Sequence, residues 1–218
     1  VAARSGRTVI LRSRSKATAD ATIANVAAGL ARQVDKGRLE ADQRNAILAR
    51  ISGTDELADF AHCDLVIESV IEDIDVKKAV FAVLDTVVAP NALLATNTST
   101  LPVVEIAMAT GRPDRVCGIH FFNPAPMMKL VEVIRPLTAS DDTIASALDF
   151  AASCGKDAVE VVDRAGFIVN ALLFPYLNNA IKMWEQGTAS IVDIDTAMQG
   201  GCNFPMGPFA LLDLVGLD

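Results

Sequence analysis

The chain has 218 residues, enough for one large domain or two small ones; hydrophobic residues make up 51% and aromatic residues 5%, so Ala, Val, Ile and Leu must build the core. A net charge of −8 argues against nucleic acid as the main partner, and no apolar run approaches the roughly 18 residues needed to span a bilayer. Cys63, Cys117, Cys154 and Cys202 are scattered without a C-x-x-C pair, so they read as reduced core thiols of a cytoplasmic protein, with no zinc site, no disulfide frame and no metal expected.

In chain order, Val1–Gly6 reads as the end of a helix with Gly6 as its C-cap. RTVILR (Arg7–Arg12) reads as a strand. Ile23, Val26, Leu30 and Val34 recur at helical spacing and predict a helix over 18–35, and a second helix is expected over 40–51. DLVIES (Asp64–Ser69) is a short buried strand. Val76, Val80, Val83, Leu84 and Val87 form a helix stripe that ends before Pro90. ALLAT (Ala92–Thr96) is a strand, and a short helix follows Pro102. RVCGIHFF and KLVEVIR are two strands joined by a proline-rich turn. Residues 141–153 are helical, Gly155 stops that helix, and AVEVV (Ala158–Val162) is a strand. Beyond Asp163 only helix patterns remain: Gly166–Gly187 with Pro175 as a kink, then SIVDIDTAMQGG and PFALLDLVG. Alternating strands and helices followed by helices alone predict a parallel α/β domain over 1–162 and an all-α domain over 163–218, with a hinge at Asp163–Gly166.

Open parallel sheets bind ligands at the carboxyl ends of their strands. Three segments there are polar: Arg12, Ser13 and Arg14; then Glu72 and Lys77; then Asn97, Thr98, Ser99 and Thr100. Each alone is what any strand-to-helix loop contains, but together they outline one crevice. His120 and Phe122 share a strand face, as do Leu130, Glu132 and Ile134. Pairing across the Asn123–Met128 turn can set His120 opposite Glu132, where a carboxylate fixes the imidazole tautomer. On spacing alone, His120 is either such a proton-handling group or a buried spacer in an apolar strand. Residues 1–38 hold eight Lys/Arg against two acids, while the remainder holds 11 against 25. This basic segment either receives a phosphate-rich ligand or is a solvated helix face.

NTST, GIHFFNPAPMMKLVEVI, DRAGFIVNALLFPYL and DIDTAM…FPMGPFALLDLVGLD stand in the order and spacing of the L-3-hydroxyacyl-CoA dehydrogenase family, which the chain resembles over essentially its whole length. The likeness is nearest to the bacterial enzymes that act on 3-hydroxybutyryl-CoA. The resemblance implies a Rossmann-type doubly wound sheet followed by a helical dimerisation domain, a homodimer, NAD or NADP as cofactor, and an acyl-CoA substrate. It implies that His120 is the general base for the 3-hydroxyl proton and Glu132 its orienting partner. Ser99 and Asn170 match groups near the substrate oxygen and cofactor, while Glu72, Lys77, Ser99 and Asn123 match cofactor contacts. Ser99 and Asn123 also border the substrate, and Lys36 matches a lysine that meets CoA phosphates. Simpler readings stand beside these. Lys36 suits a helix end, Asn123 suits a turn before Pro124, Asn170 a first helical turn, and Glu72 and Lys77 a solvated charge pair.

The sequence also departs from the pattern. It contains no G-x-G-x-x-G loop, and the first strand of the usual order 3-2-1-4-5-6 is missing with it, which would leave two flanking strands without their shared neighbour. The family's helical domain continues past VGLD. The acid that bonds the adenosine ribose in NAD enzymes is replaced by Ser13 between Arg12 and Arg14, which suits a 2′-phosphate and predicts NADP(H) use alongside NAD(H). Ala165 replaces a frequent proline and Thr100 a usual serine. The leading expectation is an oxidoreductase acting on short-chain (S)-3-hydroxyacyl-CoA; the alternative is a non-catalytic remnant that binds CoA weakly. A free-acid dehydrogenase with a catalytic lysine fits less well, given His120 and Glu132. Without the glycine loop the chain as given should bind dinucleotide weakly, and low-micromolar NADH or NADPH affinity by calorimetric titration would contradict that.

Overall fold

The computed structural model describes residues 1–216. The chain divides into two compact units, Val1–Arg164 and Ala165–Asp218. The first unit opens with a short 3-10 turn closed by Gly6, as expected from its C-cap pattern. Strand β1 (Val9–Arg12) leads to helix α1 (Lys16–Asp35), where the Ser15 hydroxyl accepts from Thr18 N and Thr18 Oγ1 accepts from Ser15 N. This reciprocal cap satisfies two amides that the first helical turn leaves open.

Helix α2 (Ala41–Leu48) stops short of the expected 40–51. Ile51–Thr54 instead forms strand β2, parallel to β1 and absent from the sequence reading. Tertiary packing explains the difference. Ile51 joins the cluster of Leu30 and Ile47, and Gly53 lets α1 approach so closely that a Cβ there would lie 3.1 Å from Ile23 Cδ1.

The remaining elements are β3 (Leu65–Glu68), α3 (Ile74–Val87), β4 (Leu93–Thr96), α4 (Val103–Ala107), β5 (Val116–Phe121), β6 (Leu130–Arg135), α5 (Asp141–Ser153) and β7 (Asp157–Val162). They form a second sheet in the order β3-β4-β5-β6-β7, parallel except for the antiparallel β5–β6 pair. The strands thus form two sheets, and β1 and β3 each have a single strand neighbour among the described residues.

The period of two along each strand sorts the core. Leu93, Ala95, Cys117, Ile119, Val131 and Val133 pack under Ile144, Ala147 and Phe150 of α5. On the opposite face Val66, Leu94 and Val116 pack under Phe81 and Leu84 of α3 and Ile106 of α4. That second face changes character toward the carboxyl ends of β3, β4 and β5. Its next residues are Glu68 beside Thr96, and then His120 beside Glu132, all buried.

Of the cysteines, only Cys117 is a core thiol; Cys63 and Cys154 are half-buried, and Cys202 is exposed at the end of a surface helix. The expectation of four core thiols is corrected accordingly. Burial pushes the Cys117 thiol up to about 12, so it stays protonated.

The second unit is helical: α6 (Val169–Glu185), α7 (Ile191–Cys202) and α8 (Pro208–Val215). Helix α6 runs through Pro175. Gly166 precedes it with φ 74°, and a Cβ there would lie 2.8 Å from Ala171 N, so only glycine fits. The Asp195 carboxylate accepts from Phe209 N and Ala210 N, capping α8 from α7. Among the described residues no helix is long and apolar enough to cross a membrane.

Gly118 is a point of close approach between β5 and β6. It pairs with Ile134, whose Cβ and Cδ1 would each lie 2.8 Å from a Cβ at 118. Gly118→Ala is expected to force β5 and β6 apart and destabilise the first unit by about 1–3 kcal/mol. Urea denaturation of both proteins checks this, and an unchanged midpoint would refute it.

Candidate active site

The β5–β6 ladder sets His120 directly opposite Glu132. Their side chains meet on the α3/α4 face of the sheet, with His120 Nδ1 2.8 Å from Glu132 Oε2. His120 is 5% exposed and Glu132 is fully buried. A carboxylate can only accept, so in this contact Nδ1–H is the donor to Glu132 and Nε2 is the ring nitrogen left for a second partner. Phe122, two residues on, packs its ring 4.4 Å from the imidazole, centroid to centroid. A one-residue slip of either strand would send one partner to the opposite face and break the pair.

A second arrangement lies at the ends of β3 and β4. Lys77 of α3 is 1% exposed, unlike its neighbour Lys78, which reaches Glu105 at the surface. The Lys77 ammonium donates to Glu68 Oε1 at 2.9 Å, pairs with Glu72 Oε2 at 3.2 Å and reaches the Val70 carbonyl at 3.4 Å. Glu68 also accepts from Thr96 Oγ1 at 2.8 Å. Glu72 Oε1 in turn accepts from Thr98 Oγ1, from Ser99 N at 2.8 Å and from Thr100 N at 3.3 Å. The carboxylate therefore grips the NTST loop by its amides and fixes the placement of Ser99. Burial pushes the Glu72 carboxyl up, but the bonds from Thr98 and Ser99 and the Lys77 charge outweigh it, and its pKa lies below the usual value.

Asn97 joins the two arrangements. Its Oδ1 accepts from Phe121 N, the residue after His120, at 2.8 Å, and its Nδ2 donates to Ser69 Oγ at 3.3 Å. Beside it, toward the α5 face of the sheet, lies a cavity of about 270 Å3 bordered by Val1 and Ala2 as well as Ile67, Asn97, Phe121 and Phe150.

The structure thus brings Glu72, Lys77 and Ser99 together, and pairs His120 with Glu132. Asn123 lies in the turn after β5, joined by a cis peptide to Pro124. Arg12 ends β1 and Arg14 follows, both exposed, with Ser13 half-buried between them; Arg12 Nε donates to the Asp55 carbonyl at 3.1 Å. Lys36 is the exposed C-cap of α1, a helix that packs on β1, β2 and α2. Asn170 stands half-buried in the first turn of α6, in the second unit. The sequence reading missed Glu68. A glutamate at the end of the apolar run DLVIES was the available signal, since a buried acid in a strand needs a cation.

Family models describe the two units: the NAD-binding domain of 3-hydroxyacyl-CoA dehydrogenase matches residues 1–164, and the C-terminal domain of 3-hydroxyacyl-CoA dehydrogenase matches residues 166–218. The chain belongs to the 3-hydroxyacyl-CoA dehydrogenase family. Among its relatives in this family, the 3-hydroxybutyryl-CoA dehydrogenase of Clostridioides difficile is 43% identical over 98% of this chain and 76% of its own length. That of Mycobacterium tuberculosis is 44% identical over 100% of this chain and 77% of its own length. The crystal structure of (S)-3-hydroxybutyryl-CoA dehydrogenase from Ralstonia eutropha superimposes with a TM-score of 0.96 at 38% identity, covering 98% of this chain and 76% of that one.

The lowered Glu72 pKa makes the family's NTST loop acid-sensitive. A carboxyl with a depressed folded-state pKa stabilises above its ordinary value, and that stability is lost as pH falls through the folded value. Glu72→Gln should therefore lower the urea midpoint at pH 7, and the gap to the unchanged protein should close as pH drops below the ordinary carboxyl value of 4.5. A gap that widens toward acid would contradict this assignment.

Proposed function

We propose that the protein interconverts a short-chain (S)-3-hydroxyacyl-CoA, with 3-hydroxybutyryl-CoA as the leading substrate, and its 3-ketoacyl-CoA, using a nicotinamide cofactor. The observation that carries this reading is the buried His120–Glu132 pair beside a Ser99 loop clamped by Glu72. That arrangement, together with membership of the dehydrogenase family, supports catalysis over a non-catalytic remnant.

The carboxyl ends of β3 and β4 are where an open parallel sheet receives its ligand, and the cofactor is assigned there. Glu72 and Asn123 border the cofactor in this reading, with Lys77 acting from behind Glu72. When bound, the nicotinamide supplies the acceptor or donor of the C3 hydride. The chain's own residues handle the proton. His120 Nε2 takes it from the 3-hydroxyl in oxidation and returns it in reduction. Glu132, already bonded to Nδ1, stabilises the imidazolium so formed. Ser99 borders the substrate oxygen in this reading, which orients C3 for transfer. Lys36 meets the CoA phosphates at long range. The second unit exposes Leu172, Phe174, Trp184 and Val192, which supports a homodimer.

His120→Gln and Glu132→Gln should each lower kcat for acetoacetyl-CoA reduction by about 10²–10⁴-fold while the fold persists. Activity is followed at the nicotinamide absorbance, and undiminished turnover in either variant would remove the dyad from the mechanism. Arg12 and Arg14 around Ser13 support use of NADPH as well as NADH, since guanidinium forks bind a 2′-phosphate. The expected kcat/KM with NADPH is within about tenfold of that with NADH; a stronger NADH preference counts against the assignment.

A further inference from the structure

The ladder between β4 and β5 is short. It runs from Leu94 opposite Val116 to Thr96 opposite Gly118 and stops there, two residues before His120. Beyond Thr96 the main chain of β4 turns to its other neighbour, and Asn97 N donates to the Glu68 carbonyl at the end of β3. Ile119, His120 and Phe121 keep their partners in β6 but have none in the β4 ladder. The Asn97 side chain takes over at this point. Its Oδ1 accepts from Phe121 N at 2.8 Å. A backbone N–H can only donate, so the carboxamide oxygen must face β5, and the NH2 end is left for Ser69 Oγ at 3.3 Å. The carboxamide oxygen thus stands in for the main-chain carbonyl that a longer ladder would supply.

His120 therefore has two kinds of support. Its contact with Glu132 belongs to the β5–β6 hairpin and travels with that hairpin as a body. Where the end of the hairpin stands relative to β4 is a separate matter, and past Gly118 the Asn97 bond sets it. The segment clamped by Glu72 begins at the very next residue, with Thr98 Oγ1, Ser99 N and Thr100 N all donating to that carboxylate. One side chain thus links the strand that carries His120 to the start of the loop that carries Ser99.

We propose that Asn97 is a positioning residue for proton transfer: its carboxamide oxygen extends the β4–β5 pairing beyond Gly118 and sets the separation between the His120–Glu132 pair and the Ser99 loop. The proposal rests on the reading of His120 as the proton-handling base. It goes beyond that reading by assigning Asn97 to the placement of the pair and not to its acidity.

The test compares Asn97→Leu, close in volume but without an acceptor, with Asn97→Asp, which keeps one, in the natural polypeptide that carries this sequence. At saturating acetoacetyl-CoA and cofactor, Asn97→Leu should lower kcat about tenfold or more, because small displacements of reacting groups cost rate steeply. The midpoint of the kcat–pH profile should stay within about 0.3 pH unit of the unaltered protein's, because the Glu132 contact is retained. Asn97→Ala, which removes the same acceptor without adding an apolar group, should behave as Asn97→Leu does. Asn97→Asp should recover most of kcat, since a carboxylate accepts from the same amide. Hydrogen exchange at the Phe121 amide should quicken in Asn97→Leu, stay slow in Asn97→Asp, and remain slow along β6 in both. Undiminished kcat in Asn97→Leu, an equal loss in Asn97→Asp, a displaced pH midpoint, or unchanged exchange at Phe121 would each overturn the proposal. If the unaltered protein turned over no acetoacetyl-CoA with either cofactor, the functional reading would fail instead, and exchange at Phe121 would then decide whether Asn97 fixes the end of β5.

Discussion

An ammonium group buried to 1% exposure is the constraint around which the ends of the parallel strands are arranged. Removing a charge from water costs several kcal/mol, and the cost is offset only where the partners are close and complete. Lys77 has Glu68 and Glu72 as counter-charges and the Val70 carbonyl as a third acceptor. These partners are themselves committed: Glu68 to Thr96 and Val70 N, Glu72 to the amides of the NTST loop. The position of α3, the end of β3 and the loop after β4 are therefore set together. Removing either carboxylate breaks one of the two ion pairs of Lys77 and also frees the segment which that carboxylate bonds, so the network acts as a single unit.

The dyad follows a different logic. His120 and Glu132 are placed by an antiparallel ladder, and their rigidity comes from apolar neighbours above and below, including Ile134 lying over Gly118. Asn97 is the bridge between the two systems, one bond to the strand that carries His120 and one to the end of β3. The His120 imidazole and the loop clamped by Glu72 are thus tied to one another through Asn97. Such support is what keeps a reacting geometry from drifting by an ångström.

Much of this was legible in the sequence. The period of two on either side of a proline-rich turn allowed His120 to stand opposite Glu132, and the strand ladder pairs them. The helices α1 and α3 were marked by their apolar spacing. Strand β2 was hidden because Ile51, Ser52, Gly53 and Thr54 carry one apolar side chain among them, and only pairing with β1 makes them a strand. Lys77 read as half of a solvated pair or as a cofactor contact, because nothing in VKK distinguishes the buried lysine from the exposed one; the 100° turn between neighbours on a helix does that. Lys156, whose ammonium donates to the Ala125 and Met128 carbonyls, left no trace in any local pattern, since these partners lie about 30 residues away in a loop.

Because β6 runs antiparallel to β5, the His120–Glu132 pair is a local contact in the chain. His120 and Glu132 are separated by 12 residues, whereas Glu68 and Thr96, which tie the parallel strands, are separated by 28. Closing the shorter loop costs less chain entropy, by about 0.8 kcal/mol on simple polymer scaling. Local contacts of this kind also form sooner during folding than crossovers that must wait for a helix to dock. Of these two buried polar contacts between strands, the His120–Glu132 pair is thus the one that asks less of the rest of the sheet.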